Sequence, residues 1–526
     1  MSVEKKNNAV ALKLRNFGNQ LFAKKEFFEA LLKYNHSLCF AEQGTETVGI
    51  AYANRSAVYI EMQQFRLCLE DIQLARQHNY PADKLEKLQR REEDCNAAIV
   101  NWKPNPYDNP FNFFKLSHAS NNKYPGIVDC LTLSNSKMFG NHLITTKTLK
   151  TGDIICIEEP AFTAANVDAR LYRCSYCFKD SSMKLFPCTG CTKAMFCSEK
   201  CQQTAMNEFH QFECNVHGNP AMKIDFHLRL LMKCLNVFDY NVPEFQKFVE
   251  KNRKQVTVFD FDFSEPEEPM FSKNAILVML SIQNNAPYCK LLSTIMGSEI
   301  RDFVSCHAKL KQLWKNHGKF LNEMLAKLIF PVTLLTHMSA FFSKEINLPT
   351  ETCLGRLQEE RKPKPAREKM FEQNSGQGLY PAFCLLNGSC DPNVFVVSAS
   401  NKLVWIVGKS IPAGSQLFCK YDQPFYNSGP ASRRQSFFKQ SFGYTCCCEA
   451  CRYDWPRLSA LKAVDPSFKY NNNQTLSNHD EAVENIRKNI EYIEKNYKHN
   501  RPTKEVYTSI DNNMYEFSSL AKPAWY

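Results

Sequence analysis

The sequence predicts an α+β protein of several domains: a helical N-terminus, short β-rich pieces split by a cysteine-rich finger and a helical insert, and a helical tail. Three observations carry that prediction. From Leu12 to about Ile99, apolar residues recur at helical spacing with no strand-like alternation. Cysteines at metal-ligand spacing crowd between 174 and 214. Short apolar runs broken by turn residues fill 129–160 and 379–421. At 526 residues the chain exceeds what one core serves, and 44% hydrophobic with 23% charged residues excludes wholesale disorder.

A net charge of +11 is mild for this length and fits a dispersed basic surface better than a nucleic-acid interface. Met1 to Asn8 holds no apolar signal stretch, and the longest apolar run, near Leu328 to Leu335, falls far short of the roughly 18 residues that cross a bilayer. The expectation is a chain of the cytoplasm and nucleus with no membrane partner. In such a reducing compartment, 23 cysteines point to zinc rather than disulfides.

The helical pattern runs Leu14, Phe17, Gly18, Leu21, Phe22, then Phe27, Ala30, Leu31, Tyr34, Leu38. It returns from Ala51 to Tyr59 and from Phe65 to Ala75, and a further helix, Asp83 to Val100, closes the array. Small residues such as Gly18 and Ser56 suit close helix crossings. Residues 10–100 resemble tetratricopeptide repeats, whose period is about 34 residues; a plain helical bundle is the alternative. By that resemblance Arg15, Asn19, Asn54, Lys87 and Arg91 stand where such repeats clamp two carboxylates, which implies a groove for an acidic chaperone C-terminal tail. Pro104, Pro106 and Pro110 break the helix and mark a linker over 101–125.

Residues 126–170 change to β-rich pieces: Ser134 to Ile144 around Phe139-Gly140-Asn141, then a Thr-Gly-Asp turn at 151–153 and a strand to Pro160. This resembles the opening of a SET domain, the β-fold of S-adenosylmethionine-dependent protein lysine methyltransferases. The resemblance implies that Phe139, Gly140 and Asn141 approach the methionine part of that cofactor. His142 stands where the family often has a second glycine.

Next comes Cys174-x2-Cys177, Cys188-x2-Cys191, Cys197-x3-Cys201 and His210-x3-Cys214. Seven thiols and one imidazole make eight ligands, enough for two closed tetrahedral zinc sites with no position for water. Over 171–217 the pattern is similar to a MYND finger, including Phe196-Cys197-Ser198 and Phe212-Glu213-Cys214. That resemblance implies interleaved sites, Cys174/Cys177/Cys197/Cys201 and Cys188/Cys191/His210/Cys214, and proline-rich peptides as ligands. Met206 stands where an aromatic groove residue is usual.

Residues 218–375 read as a helical insert, amphipathic from Met222 to Lys344 and broken by an acidic, Pro-rich stretch at Ser264 to Pro269. A basic run at 361–367 reads as a solvated loop. The part from 376 to 428 holds Asn387-Gly388-Ser389-Cys390-Asp391-Pro392-Asn393, strands at Val394 to Val397 and Leu403 to Val407, and Tyr421. The part from 429 to 460 holds Cys446-x-Cys448-x2-Cys451. Together they resemble the catalytic end of a SET domain.

By that resemblance Asn387 and the Gly388 backbone hold the cofactor, Tyr421 orients the methyl group and the amine, and Tyr380 is a second catalytic candidate. Phe442, Gly443 and Tyr444 flank the adenine and the lysine channel, while Cys390, Cys446, Cys448 and Cys451 hold a third zinc. Gly388 stands where the family has histidine, and Gln416 where it has glutamate. Residues 461–526 read as a helical tail with a helix from Glu481 to Tyr497.

Over roughly 12–460 the order resembles the SET and MYND family of protein lysine methyltransferases, in the type 4 branch with N-terminal repeats. The resemblance implies methyl transfer to a protein lysine. A non-catalytic adaptor that keeps the SET fold as scaffold is the rival reading.

Overall fold

The structure is a computed structural model that describes residues 5–103, 109–165, 168–179, 184–214, 225–252, 254–264, 272–281, 303–305, 307–333, 337–342, 371–421, 424–469 and 478–521. The basic run at 361–367, Pro104, Pro106 and residues 265–269 of the acidic stretch lie outside them.

Five helices open the chain: α1 (Asn8–Ala23), α2 (Phe27–Phe40), α3 (Glu46–Glu61), α4 (Phe65–Gln77) and α5 (Leu85–Asn101). Asn7 starts the first, its side chain accepting from the Ala9 and Val10 amides at 2.9 and 3.1 Å. Gly18 is where α1 meets α2: a Cβ there would lie 2.6 Å from the Tyr34 ring. Ser56 is fully buried and donates to the Ala53 carbonyl.

Short sheets follow. Strands β1 (Leu131–Ser136) and β2 (Gly140–Thr145) form a hairpin. β3 (Ile154–Glu158) joins β10 (Val394–Ala399) and β11 (Lys402–Val407) in the order β10-β11-β3. β4 (Phe162–Ala165), β7 (His337–Phe342) and β8 (Phe371–Leu379) make another sheet, in the order β4-β8-β7. β5 (Phe186–Pro187) and β6 (Met195–Phe196) lie in the finger. β9 (Asn387–Gly388) pairs parallel with β12 (Phe418–Cys419). Chain segments more than two hundred residues apart therefore share one sheet.

Helix α6 (Glu199–Ala205) completes the finger, and α7 (Asp225–Asn236), α8 (Val242–Lys251), α9 (Lys273–Ser281) and α10 (Ala308–Thr333) form the insert. The helical expectation there runs too far. Residues 337–342 are a strand, and β8 begins before the expected boundary at 375. Short apolar runs carry no period that separates strand from buried helix.

The linker expectation also needs correcting. From Asn109 onward the segment folds: Phe114 is fully buried and packs, with Phe113, on Phe517 of the tail. Its aromatic residues supply enough apolar surface to hold a proline-rich segment down.

The chain ends in α11 (Ala431–Phe442), α12 (Glu449–Arg452), α13 (His479–Asn496) and α14 (Lys504–Leu520). Ala482, Ile486, Phe517 and Leu520 of the last two bury against Phe395, Val397, Val404 and Ile406 on one face of the three-stranded sheet. Trp405, Leu403 and Val407 point to the other face and its separate core. No helix among the described residues is long and apolar enough to cross a membrane.

Candidate active site and metal centres

Three four-ligand clusters stand out: Cys174/Cys177/Cys197/Cys201, Cys188/Cys191/His210/Cys214 and Cys390/Cys446/Cys448/Cys451. Within each, the ligand atoms lie within 4.8 Å of one another. Sulfur pairs stand 3.6 Å (Cys177–Cys197), 3.8 Å (Cys188–Cys214) and 3.4 Å (Cys390–Cys451) apart. A zinc ion with bonds of about 2.3 Å separates tetrahedral sulfurs by roughly 3.8 Å, so the soft donor sets fit zinc. His210 turns Nε2 toward Cys188 and Cys191, while Glu213 lies 3.6 Å from its Nδ1 and is gripped by Arg229. Burial pushes the Glu213 carboxyl up, but Arg229 and His210 outweigh it and hold the group down at about 2. An anchored carboxylate of this kind fixes the orientation of a ligating imidazole.

The finger is bolted to the N-terminal helices. Arg55, fully buried in α3, donates to Asp71 at 2.6 and 2.7 Å, to Asn35 at 2.7 Å and to the Leu185 carbonyl of the finger at 2.7 Å. Asn35 in turn donates to the Leu171 carbonyl at 2.7 Å.

The third cluster borders a group of packed aromatic rings. Residues from the β1–β2 turn, the Asn387 loop, β12 and α11 meet there. Phe139 packs on Phe418 at 5.5 Å and on Tyr444 at 5.9 Å. Tyr421 packs on Phe442 at 4.6 Å, and Phe438 on Tyr444 at 5.4 Å. Tyr444 donates to the Gly388 carbonyl at 2.9 Å, and Tyr421 to the Leu386 carbonyl at 2.5 Å. Burial pushes both phenols well above their ordinary range, so both remain protonated donors.

Gly388 explains its own departure. A Cβ there would lie 2.5 Å from two ring carbons of Tyr421 and 2.7 Å from Phe438, so the tyrosine ring fills the space of a side chain. Gly140 and Gly443 adopt φ of 61° and 78° at the two turns that flank these aromatic rings.

The Nδ2 atom of Asn387 is buried with no hydrogen-bond partner among the described residues. An orphaned amide donor beside Gly388 and aromatic walls suits a polar ligand with acceptor atoms, as an amino-acid-bearing nucleoside has. Gln416 also keeps a buried Nε2 without a partner there.

Two expected residues bond elsewhere. Tyr380 is buried in the core, and its hydroxyl donates to the Asn401 carbonyl at 2.7 Å. It lies just past the end of β8, in the core against which Tyr421 also packs. Asn141 accepts from Asn135 across the hairpin at 2.8 Å rather than reaching toward the aromatic rings.

On the helical array, Asn19 accepts from both Tyr34 and Asn54 at 2.8 Å. Arg15 and Arg91 lie close enough to Tyr34 to oppose the rise that burial imposes on its phenol, which reaches about 12. Arg91 also donates to Ala53 and Ser56. Lys87 is exposed on α5.

Sequence reasoning missed Phe418, Phe438 and Glu158. The Phe438/Phe442 spacing, four residues on a helix, could have revealed the second. Glu158 is fully buried; it accepts from the Ala382 and Phe383 amides at 2.6 and 3.0 Å and from Tyr124, holding the turn that leads into Leu386. Burial pushes its carboxyl up to about 8, against those hydrogen bonds.

Two interleaved soft-metal sites within about forty residues, joined to a third that borders a group of packed aromatic rings, define a zinc-finger protein with an attached ligand site. The finger is matched over residues 174–214 by the MYND finger family model. The chain is 23% identical over 520 residues to zebrafish (Danio rerio) "Protein-lysine N-methyltransferase SMYD4", covering 86% of this chain and 66% of the relative. It is 22% identical to the human protein of that name over 86% and 68% of the two chains. Against Arabidopsis thaliana "Histone-lysine N-methyltransferase ASHR1" it is 23% identical, covering 61% and 55%. These matches make the chain similar to SET and MYND proteins and support a SMYD4-like branch. It spans about two thirds of the length of those SMYD4 relatives.

Proposed function

We propose that the chain is a protein-lysine N-methyltransferase with a split SET domain. One observation supports the reading: Phe139, Gly388, Tyr421 and Tyr444, far apart in sequence, meet in one aromatic cluster beside a cysteine-rich loop that carries Asn387. The names of the SMYD4 and ASHR1 relatives agree with it.

S-adenosylmethionine would supply an electrophilic methyl group beside that cluster. Asn387 Nδ2 would satisfy its buried donor on the cofactor, and the Phe139 and Tyr444 rings would flank it. Tyr421 keeps its proton and is close enough to turn its hydroxyl from the Leu386 carbonyl toward an incoming amine. The aromatic walls of Phe438 and Phe442 would exclude water while orientation lowers the barrier. Tyr380 and Asn141 act, on this reading, as core and hairpin residues.

The cluster of Arg15, Asn19, Asn54 and Arg91 favours a second, compatible role as a tetratricopeptide-type groove for an acidic peptide tail. Lys87 would add charge at its edge. The finger could take proline-rich segments in the same manner. A chain of this kind would act in the cytoplasm and nucleus.

Calorimetry with S-adenosylmethionine tests the enzyme reading, followed by automethylation of wild type against Tyr421→Phe. Binding with activity lost in the variant is expected. Absence of cofactor binding would hand the chain to the adaptor reading.

A further inference from the structure

The loop that carries Asn387 and Gly388 continues through Ser389 and the metal ligand Cys390 to Asp391. The Asp391 carboxylate is buried, and two residues from distant parts of the chain close on it. Lys409, at the end of β11, places its ammonium 2.6 Å from Oδ2, with both side chains 8% exposed. Tyr507, on the last helix, donates to Oδ1 at 3.0 Å. The ammonium also sits over the Tyr497 and Tyr507 rings at 5.4 and 5.9 Å.

Tyr507 does more than cap the pair. Its ring meets Phe425 edge-on at 4.8 Å and lies 6.3 Å from Trp455. The Phe425 amide donates to the Cys390 carbonyl at 2.7 Å, and the Trp455 amide donates to the Ala450 carbonyl beside Cys451. One tyrosine of the tail thus packs on the residues that tie down both sides of the third metal cluster, Phe425 on the Cys390 side and Trp455 on the Cys446–Cys451 side.

We propose that Lys409 and Tyr507 are positioning residues. Through Asp391 they hold the loop of Asn387 and Cys390 in register with the Cys446–Cys451 hook, so that the C-terminal helix sets the geometry of the cofactor cleft. A buried charge held by one ammonium and one phenol leaves its loop little freedom, and a partner lost there is felt at once. The two finger clusters make no use of this latch. Only the consequence for the cofactor rests on the methyltransferase reading; the consequence for the metal site does not.

The test is pulse alkylation of the zinc-loaded full chain with a maleimide, read residue by residue by mass spectrometry. Tyr507→Phe removes one hydrogen bond with little change of shape. Lys409→Met removes the charge, and Lys409→Arg restores it. Expected is an increase of about 10-fold in the alkylation rate of Cys390 and Cys451 in the first two variants, with Cys174 and Cys188 unchanged and recovery in Lys409→Arg. In parallel, S-adenosylmethionine should bind several-fold more weakly with the thermal midpoint nearly kept in Tyr507→Phe.

Equal acceleration at finger and third-site cysteines would show general loosening and overturn the proposal. So would unchanged rates at Cys390 and Cys451 in both variants. If wild type fails to bind the cofactor, the methyltransferase reading falls, while the alkylation result still decides the latch.

Discussion

The finger and the third metal cluster use the same ligand chemistry but are built in opposite ways. All eight finger ligands come from Cys174 to Cys214, and the anchoring Glu213 lies inside that span. The third cluster takes Cys390 from one loop and Cys446, Cys448 and Cys451 from beyond a helix, and it needs Phe425, Lys409 and Tyr507 around it. The first is a local solution; the second is a product of the whole fold. Metal would act differently in the two: in the finger it joins neighbouring turns of one short segment, whereas in the third cluster it fastens parts far apart in the chain.

Removing a ligand should expose that contrast most sharply. Zinc contributes on the order of 10 kcal/mol to small fingers. Cys188→Ser should therefore unfold 174–214, read as loss of hydrogen-exchange protection there, with the third site retained. Cys390→Ser should leave the finger protected and loosen only the cleft. Reciprocal unfolding in both variants would erase the distinction.

Next in size is the bolt between array and finger. Asp71→Asn leaves Arg55 buried without its counter-charge and should cost about 3–5 kcal/mol, read by denaturant unfolding. A loss under 1 kcal/mol would mean that the finger needs no such support.

A smaller effect is expected at Gly388. Gly388→Ala should push the Tyr421 ring aside and cost about 1–3 kcal/mol, with weaker cofactor binding. Full binding in that variant would show that the ring is not seated as described.

A pH slope differs from these in kind. The native Glu158 carboxyl titrates near 8, above the ordinary 4.5, because of burial. The folded chain then holds a proton that the unfolded chain has released, so this group's contribution falls as pH rises from about 4.5 to 8. Glu158→Gln should gain on wild type steadily across that window in thermal midpoint. A pH-independent difference would count against a buried, protonated Glu158.

The ease of reading the sequence follows the same division. Spacing alone revealed the finger, because its ligands and turns are neighbours in the chain. The pairing of Cys390 with the later hook was legible only through family resemblance. Tyr421 was ranked above Tyr380 only through family spacing, since nothing local tells which hydroxyl meets the Asn401 carbonyl and which the Leu386 carbonyl. Lys409 and Tyr507 left no signal at all, because their meaning comes from one carboxylate 116 residues before the tyrosine. The folded stretch after Asn109 was masked by its prolines, although Phe111, Phe113 and Phe114 stood beside them.

The close seat of the Tyr421 ring on the bare backbone of residue 388 ties several positions together. With aromatic neighbours already in the room that a β-carbon would take, a larger residue at that spot calls for a smaller or shifted ring beside it. Positions 388, 421, 438 and 442 therefore behave as one unit, in which a change at one is accommodated by the others.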